Sequence, residues 1–334
     1  MQRIAIIGLG LIGSSIGLAL KARAKDVEVV GYDIETKVQN QAKKDGAIDR
    51  AEWRLPDAVK GADIVVFAVP VPTMKELFTD VAPHLKPEAV ITDTATTKRE
   101  VMQWAAESFP DTVGFVGGNP LAGGGKNGAA NARADLFVDA AYAVMPSTRA
   151  PERSVKSVVA MVEAIGAKPY FVDPHEHDTA MAAVGHLPIL LSSALMMATA
   201  ASPSWREISK FAADDFKGMT ALAGTDPQVS AGIASSNADM LVYWLEEIIR
   251  ELTDLQKMMA HESRSEKDGP LMQTFVNSWE ARKRYEAGVT MLDFTRPALP
   301  SAGDGMVQMF LGERLGRIFT DAGKRANDPT QYRR

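Results

Sequence analysis

The chain has no cysteine. That excludes a disulfide framework, a thiolate nucleophile and a cysteine-based metal site. It has no excess of positive charge: 37 Lys and Arg against 42 Asp and Glu give a net charge of −5. No nucleic-acid partner and no anionic membrane surface is therefore expected. It has no internal repeat and no low-complexity segment. Its N-terminus runs straight into a strand-like segment, so no signal peptide is expected. The most apolar stretch, 179–201, is interrupted by His186 and Pro188 and is rich in Ala and Ser. It reads as a buried helix rather than a membrane span. With none of these features, the cytoplasm is the expected location. What remains is 334 residues, 46% of them hydrophobic and 24% charged, enough for two ordinary globular domains.

The most informative stretch is Arg3-Ile-Ala-Ile-Ile-Gly-Leu-Gly-Leu-Ile-Gly13. Ile4 to Ile7 is a short apolar run of the kind buried in a parallel sheet. Gly8, Gly10 and Gly13 follow as G-x-G-x-x-G, and Ser14 to Ala22 reads as a helix. In that pattern the first glycine permits a tight turn and the second lets backbone approach a pyrophosphate. The third lets the helix pack close to the strand. A helix N-terminus also offers free N–H groups and a positive dipole end to a phosphate. A second strand, Val27 to Asp33, ends on an acid 20 residues beyond Gly13, the distance at which a carboxylate accepts a ribose diol and repels a 2′-phosphate. Ile34 after it supplies no cation for such a phosphate, so the cofactor is expected to be NAD. Gly8, Gly10, Leu11, Ile12, Gly13 and Asp33 are its expected contacts.

Strands and helices continue to alternate: Glu35 to Lys44 helical, Ala62 to Pro70 a strand, Thr73 to Val81 helical, Ala89 to Asp93 a strand, Lys98 to Ser108 helical, and Val113 to Val116 a strand. A glycine-dense loop, Gly117 to Gly128, follows; then Ala141 to Met145 (strand), Glu152 to Ile165 (helix) and Pro169 to Val172 (strand). This is an α/β pattern, a Rossmann-type doubly wound sheet with antiparallel additions late on. After Asp173 the pattern turns all-α. Thr179 to Thr199 is apolar nearly all round, which predicts burial on most sides. Asn237 is positioned to cap a helix to about His261, with Leu241, Leu245, Ile248, Leu252, Leu255 and Met259 on one face and Glu246 and Arg250 paired on another. Leu271 to Glu286 and Met306 to Ala322 are further helices, and residues 327–334 read as loose. The expected domains are 1–173, binding NAD, and 174–334, helical, carrying substrate contacts and a homodimer interface.

Ligands of an open parallel sheet bind beyond the carboxyl ends of its strands. Three segments leave such ends. Val69-Pro-Val-Pro72 flanks the nicotinamide ribose, with Val69, Pro70 and Thr94 as further cofactor contacts. Thr92 to Lys98 brings the hydroxyls of Thr94, Thr96 and Thr97. Gly117 to Lys126 lets main chain approach a ligand, with Asn119 at its entry. Thr96 and Asn119 have structural alternatives, as caps of the following helix and of a turn before Pro120. In the helical half, His186 lies on an apolar helix locally broken by Pro188. His175, Glu176, His177 and Asp178 lack the spacing and further ligands of a metal site, so no metal is expected.

These segments resemble the prephenate/arogenate dehydrogenase family of tyrosine biosynthesis over most of residues 3–260. The resemblance rests on Gly8 to Ser15, Ala68-Val-Pro-Val71, Thr92 to Lys98, Asn119-Pro-Leu-Ala-Gly123 and Ala134-Asp-Leu-Phe137. His177-Asp178, His186-Leu-Pro188, Thr220 to Ala223, Asp226-Pro227 and Asn237 add to it. It implies a Rossmann domain followed by a helical dimerisation domain. The implied reaction is hydride transfer to NAD(P) from the ring carbon bearing the hydroxyl, with loss of the ring carboxylate as CO2. Such chemistry needs a base or acceptor at the hydroxyl, a cation for carboxylate and a nicotinamide face on the other side.

The departures fall on that chemistry. The family's His-Pro-Met-Ala-Gly reads Asn119-Pro-Leu-Ala-Gly, and Asn119 cannot take a proton near neutral pH. The usual Ser is Thr96, the loop acid is Gly125, and His-Leu-Pro-His ends in Ile189. Arg-Asp-x-Thr-Arg reads Lys217-Gly-Met-Thr-Ala221, leaving Lys217 as the nearby cation without the bidentate fork of Arg. The expected catalytic residues are Asn119, His186 and Thr96, with His186 as acid/base. The expected substrate contacts are Lys217, Gly125, Lys126 and Thr220, and Arg296 in the tail is a replacement cation. The function expected is an NAD-dependent dehydrogenase of prephenate/arogenate type. A dehydrogenase of another small substrate, or a non-catalytic NAD-binding regulator, is the alternative.

Overall fold

Ile4-Ala-Ile-Ile7 builds the centre of the sheet. In the computed structural model, which describes residues 1–123, 128–260 and 269–288, β1 (Gln2–Ile7) is buried from Ile4 onward. It pairs in parallel with β2 (Val27–Tyr32) on one side and β4 (Ile64–Phe67) on the other. With β3 (Arg50–Ala51), β5 (Val90–Asp93), β6 (Gly114–Pro120), β7 (Ala141–Pro146) and β8 (Lys168–Phe171), the sheet has eight strands in the order β3-β2-β1-β4-β5-β6-β7-β8. Among the described residues only the β6–β7 pair is antiparallel. The chain leaves β1 for β2 on one side and later returns to β4 on the other. That divergence opens the ligand crevice at the carboxyl end of β1.

Helices α1 (Leu11–Arg23), α2 (Thr36–Lys44), α3 (Leu55–Val59), α4 (Val71–Val81), α5 (Arg99–Ser108) and α6 (Glu152–Ala164) connect the strands. The pleat divides β1 between two cores. Ile4 and Ile6 pack with Ile16, Leu20 and Val162, while Ala5 and Ile7 pack with Phe67, Phe78 and Phe115, as a period of two requires. Phe78 anchors the second core, its ring centroid 4.9 Å from both Phe67 and Phe109.

Among the described residues no strand follows β8. Helix α7 (Pro174–Met181) runs through a π-helical turn, Ala182–His186, into α8 (Leu187–Ala200). Then come α9 (Trp205–Ile208), α10 (Asp214–Thr220), α11 (Pro227–Ser236), α12 (Ala238–Ala260) and α13 (Pro270–Glu286). The described residues divide into two units, one of residues 1–248 and one that begins at Ile249.

Four expectations change. Gly117 to Pro120 is not loop: it continues β6 and pairs with β7, Asn119 opposite Ala143. The glycines there serve packing, since a Cβ on Gly118 would lie 2.6 Å from the Asp93 carbonyl oxygen and one on Gly117 2.9 Å from Met102 Sδ. Pro188 does not break its helix. It has no N–H to give, and the turn before it widens so that the Leu187 N–H reaches the Ala182 carbonyl. The apolar helix is not buried on most sides of the single chain. Residues 174–200 are long and apolar enough to cross a membrane by length and composition, and 22% of the most apolar window is buried. Helix α8 packs against α10, the turn Ala221–Gly224 and, through Leu187, Leu190 and Leu191, the α12 residues Leu241, Trp244 and Leu245, while Val184 and Met197 stay exposed. Asn237 precedes α12 as expected and its carbonyl accepts the Leu241 N–H, but its side chain caps nothing and turns into the site below. The short β3 and α3 carry no periodicity and were not legible. The helix expected at 306–322, Arg296 and the tail 327–334 lie outside the described residues.

Candidate active site

The turn after β1 has the geometry of an anion cradle. Gly8 has φ +92°, and a Cβ there would sit 2.4 Å from the Ala68 carbonyl oxygen, so the position admits no side chain. A Cβ on Gly13 would lie 1.9 Å from the Gly8 carbonyl oxygen, which fixes how closely α1 meets β1. Gly10 differs: a Cβ there would meet nothing within 4 Å. The space is open, and Gly10 begins α1 with no side-chain cap and no acidic residue in the first turn. The first N–H groups of a helix have no partner within it, so those of Leu11, Ile12 and Gly13 are left for an anion. Asp33, at the tip of β2, is held by the Leu9 N–H at 2.8 Å and the Glu35 N–H at 2.9 Å. Each carboxylate oxygen keeps acceptor capacity for a hydroxyl. The exposed Ile34 beside it offers no charge. The residues present fit a dinucleotide with a free ribose diol.

Val69, Pro70 and Thr94 lie on the same edge, after β4 and β5. Pro70 is exposed at the start of α4, and the Thr94 N–H donates to the Phe67 carbonyl at 3.0 Å. Thr96 is half-buried in the β5–α5 turn. It does not cap α5, because that cap comes from elsewhere. The Asp178 carboxylate accepts the Lys98 N–H at 2.7 Å and the Arg99 N–H at 2.9 Å.

Asp178 is the centre of a buried polar chain. Its Oδ1 also lies 2.8 Å from His177 Nδ1, and His177 Nε2 lies 2.9 Å from Asn119 Nδ2. Asn119, His177 and Asp178 are 1%, 4% and 0% exposed. Burial alone would raise the Asp178 carboxyl, but His177 and the Arg99 and Lys98 N–H groups hold it below its usual value. A second branch runs from Arg99, whose guanidinium donates to Asn237 Oδ1 at 3.0 Å and pairs with Asp239. The hydrogen bonds from Arg99 to Asp239, against desolvation, bring the Asp239 carboxyl down to about 2. Asn237 Nδ2 then donates to the Asp178 carbonyl at 2.7 Å and reaches His186 Nδ1 at 3.3 Å.

With Nδ1 accepting, the proton of neutral His186 sits on Nε2, which has no hydrogen-bond partner. Burial drives the His186 imidazolium down to about 4; Asp178 and the Thr96 carbonyl oppose that shift and His177 adds to it. His186 is therefore neutral at pH 7. Beneath the chain, the fully buried Lys98 ammonium pairs with Asp93, which also accepts the Gly118 and Ala95 N–H groups. Burial lowers the Lys98 ammonium and Asp93 and Asp178 raise it, with a net fall.

The expected residues thus divide. Asn119, Thr96 and His186 all touch or border this chain. Lys217 is exposed on α10 and pairs with Asp214 of its own turn, and the Thr220 hydroxyl donates to the Phe216 carbonyl at 2.7 Å, so both are bonded locally rather than to this chain. Gly125 and Lys126 lie outside the described residues. Lys98, Arg99, His177, Asp178 and Asn237 were not singled out as site residues, although Lys98, His177-Asp178 and Asn237 belong to the resemblance.

Known proteins resemble the chain as a whole. The family model "Prephenate dehydrogenase, nucleotide-binding domain" matches residues 16–171, and "Prephenate dehydrogenase, dimerization domain" matches residues 173–275. The chain is 30% identical to the prephenate dehydrogenase of Bacillus subtilis, over 92% of this chain and 78% of that one. It is 32% identical to the cyclohexadienyl dehydrogenase of Zymomonas mobilis, over 84% and 95% respectively. The crystal structure of prephenate dehydrogenase from Aquifex aeolicus, in complex with hydroxyphenyl propionate and NAD+, superposes with a TM-score of 0.77 at 24% identity, covering 85% of this chain and 98% of that one.

Proposed function

The chain belongs to the prephenate dehydrogenase family, and from that membership we propose that it oxidises prephenate or arogenate with NAD as hydride acceptor. The observation that carries the reading is the glycine turn with open space at Gly10 and Asp33 beside it, on the sheet edge where β6 holds the buried Asn119.

NAD supplies the hydride acceptor when bound across that turn. The ring carbon bearing the hydroxyl loses its hydrogen as hydride while the ring carboxylate leaves as CO2, and the ring becomes aromatic. The hydroxyl keeps its proton, so the balance demands no base that removes one. It demands a hydrogen-bond acceptor for a hydroxyl that turns more acidic as its carbon gives up electrons. Asn119 is suited to that demand, which answers the loss of the family histidine. Thr96 and the neutral His186, with its proton on Nε2, border the same chain and serve as further contacts. Lys217, Thr220, Gly125 and Lys126 remain our candidates for the carboxylate end of the substrate.

We divide the chain into a nucleotide-binding domain, residues 1–173, and a helical domain, 174–334, and read the protein as a cytoplasmic homodimer. The match to a dimerization-domain model and the open apolar surface of residues 174–200 support the dimer. The test is NADH formation by the purified protein with prephenate and arogenate offered separately. Turnover with either supports the reading. Tight NAD binding with turnover of neither contradicts it and sends the search to other small acids.

A further inference from the structure

An asparagine can serve the hydroxyl only if the right end of its amide faces it. The two ends have nearly the same shape and opposite chemistry, Oδ1 accepting and Nδ2 donating. A donor facing the substrate oxygen would withdraw electrons from an atom that must release them, and would oppose hydride loss. Something must hold the amide one way round.

We propose that His177, itself held by Asp178, is a positioning residue that fixes the Asn119 amide with Nδ2 inward, so that Oδ1 meets the substrate hydroxyl. The assignment follows from the order of partners along the buried chain. Asp178 is an acceptor only, and its carboxylate is already anchored by the Lys98 and Arg99 N–H groups. The His177 Nδ1 at 2.8 Å from it must therefore carry the proton. In a neutral imidazole the other nitrogen is then a bare acceptor. The atom of Asn119 found 2.9 Å from that Nε2 is Nδ2, the end that can donate. Turning the amide over would set Oδ1 against the Nε2 lone pair, two acceptors face to face in a position 1% exposed. The direction of the amide is thus set from the start of α5, through Asp178 and His177, to β6.

The proposal rests on the dehydrogenase reading, and two measurements separate their failures. The first compares His177→Leu and His177→Gln with the wild type on prephenate and arogenate. Leu removes the acceptor, while Gln restores one through Oε1. The expected result is a kcat lower by on the order of tenfold or more for His177→Leu, with recovery to within about threefold for His177→Gln. The Kd for NAD, measured by calorimetry, stays near wild type in both, which a general loss of structure would not allow. The second measurement is ¹⁵N NMR of the histidine rings in the NAD complex, independent of turnover. It should show His177 protonated on Nδ1, with Nε2 unprotonated and hydrogen-bonded. A His177→Leu variant with wild-type kcat, or a His177 ring carrying its proton on Nε2, overturns the proposal alone. A wild-type protein that turns over neither substrate overturns the dehydrogenase reading, and with it the catalytic use of the amide.

Discussion

At Gly10 and Gly13 one methyl group separates folding from binding. A Cβ on Gly10 has room, since nothing lies within 4 Å of it, whereas one on Gly13 lands 1.9 Å from a carbonyl oxygen. Gly10→Ala should therefore fold with wild-type stability and lose NAD affinity by tenfold or more, while Gly13→Ala should lose stability as well. Calorimetry with NAD and thermal unfolding on the same samples check both. His186 makes a second prediction. Its imidazolium forms near 6.5 in the unfolded chain and at about 4 in the native one. Between those values the unfolded chain holds more protons, so stability rises with pH across that window. It loses nothing to this group above it, and the full cost below it is roughly 3 kcal/mol. Urea unfolding at neutral pH and at about pH 4.5 should show a smaller difference in His186→Asn than in wild type. The cofactor turn was legible residue by residue because each glycine there answers a local demand. Asn119 was legible as a departure from the family and illegible in its surroundings, because its partner His177 is 58 residues away.

Among the elements, α5 shows what local patterns miss. Its start is capped by a carboxylate 79 and 80 residues further along the chain, so the segment around Thr96 gives no sign of it. β6 misled for the opposite reason. Gly117-Gly118-Asn119-Pro120 has the composition of a turn, but β7 supplies the pairing and the glycines make room for the Asp93 backbone, Tyr142 and Met102. The apolar runs of β1, β4 and β5 were read correctly because burial on both faces leaves a continuous signal. The same region carries a stability prediction. Lys98→Met leaves the Asp93 carboxylate buried without its cation, which should cost about 3–5 kcal/mol in urea unfolding. Asp93→Asn in the same chain should recover part of that loss, because the unpaired charge goes with it.

For the whole molecule, the change from alternating strand and helix to helix alone was plain in the hydrophobic period, and the family models divide at the same change, between residues 171 and 173. What the sequence concealed is that the two kinds of structure are tied together by polar groups. Asp178 and Asn237, in the helical part, hold the start of α5 and Arg99 of the sheet part. The apolar run from Thr179 to Thr199 looked like core because composition does not distinguish a helix buried on most sides from one that is partly exposed.

As we propose it, a pocket without the family histidine performs an oxidative decarboxylation because the hydroxyl needs an acceptor and not a base. The most direct measurement is the stoichiometry of NADH and CO2 with prephenate or arogenate labelled in the ring carboxylate. One CO2 released per NADH formed, with kcat lowered about 100-fold or more in Asn119→Leu, is the predicted result. NADH without CO2, or a kcat indifferent to Asn119, would contradict that role for Asn119.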